Sequence, residues 1–100
     1  MIVAYVYVLF CKDKSFYCGS TYSVTRRLEE HEKGQGSKYV RSRLPFTLLR
    51  TWAFESFNQA LRFEALFKSL PRKNKEKVVA MKMYEMTDKK VEEIRKMFKK

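Results

Sequence analysis

One hundred residues make one compact domain and leave no room for two independent cores. Hydrophobic residues are 45% of the chain and aromatic ones 15%, enough for a real core, which excludes disorder along its whole length. Lys and Arg number 22 against 11 Asp and Glu, and the resulting net charge of +11 repels cationic partners and attracts polyanions, nucleic acid first and an anionic membrane surface second.

Ile2 to Cys11 is dense in β-branched and aromatic residues and apolar on both faces, the pattern of a central strand covered on two sides. At ten residues, with no basic segment before it, it is neither a membrane span nor a signal peptide. Lys12 to Ser15 is a polar break, and Phe16 to Thr21 reads as a second strand joined to the first by a tight hairpin. Ser23 is placed to cap a helix running to about Lys33, which Gly34 ends. Gly34 to Arg43 reads as a mobile, basic stretch. Pro45 to Phe54 returns to strand composition, and Ser56 caps a helix through Leu70 that Pro71 breaks. Further helical segments run from Arg72 to about Tyr84 and from Thr87 to Lys99, the last with Val91, Ile94 and Phe98 on one stripe. The eleven basic and five acidic residues of Pro71 to Lys100 leave +5 of the net charge on Met1 to Leu70, so the compact part is basic in its own right.

On a helical wheel from Val24, Arg27, Leu28 and His31 fall within about 60° of it, while Arg26, Glu29, Glu30 and Lys33 point away. A cation and an imidazole one turn apart beside the core line suggest a polar pocket; the plainer alternative lays the Arg27 stem over Val24 with its head in water. Glu64 flanks the Ala60, Phe63, Phe67 stripe, and a surface pair with Lys68 one turn on would explain it without function.

The hairpin makes a sharper statement. Side chains alternate along strands, so Tyr7 and Tyr17 share a face only if residues of the same parity oppose one another, such as Leu9 and Tyr17. That needs an odd-length loop such as Lys12-Asp13-Lys14, or a bulge; a two-residue turn would separate the phenols. Gly19 within the strand marks a bulge or a close backbone approach beside Tyr17. Cys11 and Cys18 lack a metal-type partner set and read as buried thiols of a reducing, cytoplasmic protein.

Tyr5-Val6-Tyr7, Tyr17-Cys18-Gly19, Arg27, His31 and a helical Glu64, followed in the same order by the Lys38-Tyr39 pair and the Leu-Arg-Phe-Glu-Ala-Leu-Phe-Lys stretch, together resemble the GIY-YIG nuclease family, in particular its small stand-alone bacterial members. The likeness spans roughly Ile2 to Lys77. It implies an α+β fold, a three-stranded antiparallel sheet flanked by helices, with residues 1–84 as the domain and 85–100 as an extra basic C-terminal helix. It also implies a metal-dependent phosphodiesterase of the endonuclease type. Carried over by motif position, Tyr7 and Tyr17 are its phenols, Arg27 the cation at the phosphate, His31 an accessory proton-transfer group and Glu64 the ligand of one Mg²⁺ or Mn²⁺, with Asn74 a loose match to a further polar residue. Tyr5 stands where the motif has glycine and Cys18 where it has isoleucine, and Tyr5 narrows the groove.

The residue types suit that chemistry. Guanidinium geometry matches phosphate oxygens, and a hard divalent ion on a carboxylate assists an alkoxide leaving group. A phenol with a reference pKa near 10 is a poor base unless a cation stabilises its phenolate. Binding of substrate falls to Lys38, Tyr39, Arg41 and Arg43, cations for phosphates and an aromatic ring for an unpaired base. No base-reading module is present, so little sequence specificity is expected. The expected partner is nucleic acid, DNA before RNA, bound by a monomer with a protein to deliver it and no membrane; the alternative is a non-catalytic nucleic-acid-binding module that retains the fold.

Overall fold

The computed structural model describes residues 1–99. Three antiparallel strands, β1 (Ala4–Cys11), β2 (Phe16–Thr21) and β3 (Phe46–Phe54), lie in the order β2-β1-β3. The doubly apolar segment is thus the central strand, as its composition requires. Alternation places Ala4, Val6 and Val8 on one face, where they pack with Trp52, Phe54 and the helical residues Phe63, Phe67, Val78 and Ile94. Tyr7 and Leu9 face the other way and pack with Val40, Tyr17, Leu28 and Phe46. The larger core is covered by α3 (Phe57–Ser69), α4 (Arg72–Ala80) and α5 (Asp88–Met97), and the smaller by α1 (Val24–Glu32) and α2 (Lys38–Arg41).

The hairpin has the odd-length loop that a shared face requires. Leu9 pairs with Tyr17 and Phe10 with Phe16. Cys11 N–H donates to Ser15 O at 2.9 Å and Lys14 N–H to Cys11 O at 2.8 Å, closing a three-residue loop in which Lys14 adopts φ 69°. Asp13 accepts the Ser15 N–H at 3.0 Å, which steadies the turn.

Two sequence expectations need correction. The stretch read as mobile contains α2, because Ser37 Oγ accepts the Val40 N–H at 3.1 Å and Val40 is fully buried. Its end is tied to the hairpin, with Lys12 N–H donating to Arg43 O at 3.0 Å and Arg43 Nε to Asp13 at 2.8 Å. The helix expected to reach Tyr84 stops at Ala80. There Arg50, on the larger-core face of β3, donates to the carbonyls of Val79, Met81 and Met83. The chain beyond follows the free edge of β3, where Ala53 N–H donates to Tyr84 O and Met86 N–H to Ala53 O, both at 2.8 Å.

The stripe foreseen for the last helix is buried: Val91 and Ile94 join the larger core with Phe98 packed against it. Both cysteines are free and buried. Among the described residues no helix is long and apolar enough to cross a membrane.

Candidate functional site

The pairing of β1 with β2 sets Gly19 opposite Tyr7 and Tyr17 opposite Leu9, which turns both phenols toward α1 with ring centroids 6.2 Å apart. Gly19 makes room for Tyr7, since a Cβ at that position would lie 2.6 Å from the Tyr7 hydroxyl oxygen. Ser23 caps α1 by accepting the Arg26 N–H at 3.3 Å, and the helix then carries His31 into the sheet. His31 is only 1% exposed, and its Nε2 lies 2.8 Å from the Tyr7 hydroxyl. The rings of Tyr7, Tyr17 and Phe46 surround the imidazole with centroids 5.8, 5.4 and 6.2 Å away. Nδ1 has no partner among the described residues, and Gly36 closes over it so tightly that a Cβ there would fall 2.3 Å away.

Burial sets the protonation of this pair. It pushes His31 below its ordinary value, with Arg27 acting in the same sense and Glu30 opposing. It pushes the Tyr7 phenol well above its ordinary value, with a hydrogen bond from Arg27 acting in the opposite sense. Both shifts favour a neutral imidazole facing a neutral phenol near pH 7.

Arg27 lies on the core side that the wheel predicts, and its partly exposed head is held in an ion pair. Nη1 lies 2.9 Å from Glu30 Oε1. The wheel sent Glu30 away from this side, yet residues three apart are neighbours on a helix surface, so the pair was legible from spacing. Arg26, Arg27 and Glu30 line an open cleft of about 350 Å³, with Ser20, Tyr22 and Phe57 opposite.

Glu64 comes to the sheet from the other side. Ser20 pairs with Val6 and so points toward α3, where its hydroxyl donates to Glu64 Oε1. Lys68 Nζ sits 2.6 Å from Oε2, and Glu64 is 16% exposed. The i,i+4 pair expected as the plain explanation is present; Ser20, far away in sequence, was not foreseen. The site therefore has two parts: Tyr7, Tyr17, Arg27 and His31 on the α1 face, and Glu64 with Ser20 and Lys68 on the α3 face. They meet across the edge strand β2, which turns Tyr17 toward α1 and Ser20 toward α3; there Glu64 holds the Lys68 ammonium above its ordinary range, with burial opposing. Asn74 lies in the first turn of α4.

On the α1 face the short helix α2 presents Lys38 and Arg41 to solvent. Tyr39 lies 5.8 Å from Tyr17, and the Arg43 guanidinium covers its ring at 3.7 Å from the centroid. Arg43 is fixed there by Asp13 and by the Tyr39 carbonyl, to which Nη1 donates at 3.0 Å.

This arrangement of motif residues has a counterpart among known proteins: residues 3–77 match the model of the GIY-YIG catalytic domain. The chain belongs to the GIY-YIG family. A UPF0213 protein of Halalkalibacterium halodurans is 49% identical over 87 residues, covering 85% of this GIY-YIG chain and 93% of its own length. One of Streptococcus agalactiae serotype V is 50% identical over 74 residues, covering 74% and 84%. The solution NMR structure of the UPF0213 protein of Bacillus halodurans matches with a TM-score of 0.54 at 44% identity, covering 89% of this chain and 92% of that one. That of a protein from E. faecalis gives 0.55 at 45% identity, covering 75% and 80%.

These relatives correct the functional expectation. Of the relatives just named, all but the E. faecalis protein are designated UPF0213 and none is designated a nuclease. Among the described residues no three His, Cys, Asp or Glu side chains gather in a way that could hold a metal ion. The reading as a metal-dependent endonuclease, and with it the terms nuclease, hydrolase and magnesium enzyme, gives way to the non-catalytic alternative. Local chemistry agrees: Glu64 is a single carboxylate already serving a hydroxyl and an ammonium, a poor fit for a hard ion that seeks several oxygens.

Proposed function

We propose that this protein is a nucleic-acid-binding module that keeps the GIY-YIG fold, and that it holds DNA in preference to RNA through its phosphates. The observation that carries this reading is the surface on the α1 side of a chain of net charge +11. There Lys38 and Arg41 are exposed and Arg43 lies flat on Tyr39, beside the Arg26 and Arg27 cleft. Lysines and arginines so placed neutralise phosphates and release counterions without reading bases. The guanidinium of Arg43, preordered by Asp13, is the flat surface an unpaired base would meet, since the covered face of Tyr39 is not free. Groups that hydrolysis would employ already have partners within the chain, His31 with Tyr7, Arg27 with Glu30 and Glu64 with Lys68.

The module acts as a monomer in the reducing cytoplasm, where its two buried thiols stay free. With no base-reading element, its choice of site falls to a partner protein that delivers it.

The test is fluorescence anisotropy with duplex DNA, single-stranded DNA and RNA over a range of salt. Log K should fall linearly with log salt, and replacing Lys38, Arg41 and Arg43 together by alanine should flatten the slope by about 0.9 for each duplex phosphate that is no longer neutralised. The DNA should remain full length after incubation with Mg²⁺ or Mn²⁺. No binding at low salt, or cleavage that Glu64→Gln abolishes, would overturn the proposal.

A further inference from the structure

Tyr22 is 68% exposed and stands between two depressions of opposite character. On one side is the cleft lined by Arg26, Arg27 and Glu30, where two guanidiniums outnumber the one carboxylate that pairs with both and leave the cleft net cationic. On the other is a groove of about 450 Å³ whose lining includes Tyr5, Tyr22, Tyr84, Leu48, Thr25 and Thr51 and no charged side chain. Three tyrosines converge there from β1, from the turn before α1 and from the segment that follows α4. Tyr84 is 51% exposed and Leu48 39%, so large apolar surface that folding would ordinarily cover is open to water at one place. The Tyr22 ring is steadied by Phe57, whose centroid lies 4.5 Å away.

Resting on the nucleic-acid reading above, we infer that this groove takes one unpaired nucleobase from a strand whose adjoining phosphate lies in the Arg26 and Arg27 cleft. Charge complementarity singles out this occupant. A strand alternates an anionic group with a neutral aromatic ring, and the surface alternates a cationic cleft with a neutral aromatic groove across a single side chain. The volume is of the order of small-molecule sites, roughly 300 to 1,000 Å³. Tyrosine faces stack on any base, and the threonine hydroxyls can both donate and accept, so the groove accepts a base without selecting which one. A paired base cannot reach it, because its faces are covered by its neighbours in the duplex. Preference for an unpaired nucleotide is thus built in on this side, separate from the phosphate-binding cations of α2. Tyr5 has a part in this: the residue that stands where the motif has glycine supplies one of the groove's three aromatic rings.

The experiment compares three DNAs binding to the full chain by anisotropy: a duplex with one unpaired thymine, the same duplex with an abasic residue there, and the fully paired duplex. The unpaired thymine should improve affinity over the abasic residue by at least about fivefold. Tyr22→Ala and Tyr84→Ala, each verified as folded by circular dichroism, should reduce that ratio toward one. Equal affinity of the wild type for thymine and abasic DNA, the outcome expected if the groove instead receives a protein, would overturn the inference while leaving phosphate binding intact, as would a thymine preference unchanged in both variants, which would place the base on Arg43 over Tyr39. Failure to bind any of the three DNAs would overturn the nucleic-acid reading itself.

Discussion

Replacing Gly36 by alanine tests the packing that holds the α1 side together. The added Cβ would lie 2.3 Å from His31 Nδ1, 2.8 Å from Cε1 and 3.0 Å from Cγ, a clash with the ring's own atoms and not with a flexible tip. The imidazole has nowhere to withdraw, since the Tyr7 hydroxyl is 2.8 Å from its other nitrogen and three aromatic rings surround it. Overpacking of a filled site typically costs about 1–3 kcal/mol. For a domain of this size each kcal/mol lowers Tm by roughly 4–8 °C, so thermal unfolding followed by circular dichroism should show a loss of at least about 4 °C. His31→Ala removes the obstacle, so the double variant should cost less than the sum of the two single ones. A Gly36→Ala protein within about 0.5 kcal/mol of wild type, or strict additivity with His31→Ala, would refute this close packing.

Glu30→Gln removes a pair that is about a third exposed, and stability should change by less than about 1 kcal/mol. The cleft then loses the carboxylate that competes with a phosphate for Arg26 and Arg27, and the salt slope of DNA binding should steepen by about 0.9; an unchanged slope would show that the cleft meets no phosphate. Acidification should destabilise the fold through His31. Its folded pKa lies below the ordinary 6.5, so the unfolded chain binds more protons as pH falls from about 6.5 toward the folded value, and stability declines across that window. Urea unfolding of wild type and His31→Gln between pH 7 and 5 measures this, and equal pH slopes for the two would contradict a buried neutral imidazole. Because Glu64 is already engaged by Ser20 and Lys68, calorimetry with Mg²⁺ or Mn²⁺ should give the same heats for wild type and Glu64→Gln; a binding heat that Glu64→Gln removes would show that the carboxylate does hold an ion.

Local regularities were legible in the sequence because they depend on near neighbours. Strand alternation with a three-residue loop brings Tyr7 and Tyr17 to one face, and the helical period brings Arg27 and His31 to the same side. The caps at Ser23 and Ser56 and the break at Pro71 follow from hydrogen bonds within a turn. What each polar side chain then meets is another matter. Glu64 is held by Ser20 from 44 residues away, and α4 ends where Arg50 reaches its last carbonyls from about 30 residues away. Gly36 looks like an ordinary loop glycine until an imidazole is found beneath it. Periodicity tells which face a residue occupies, because that depends only on backbone geometry. The identity of the opposing group depends on how strands register and helices dock, and only the folded chain decided that Tyr7 meets His31, that Ser20 meets Glu64 and that three distant tyrosines share a groove.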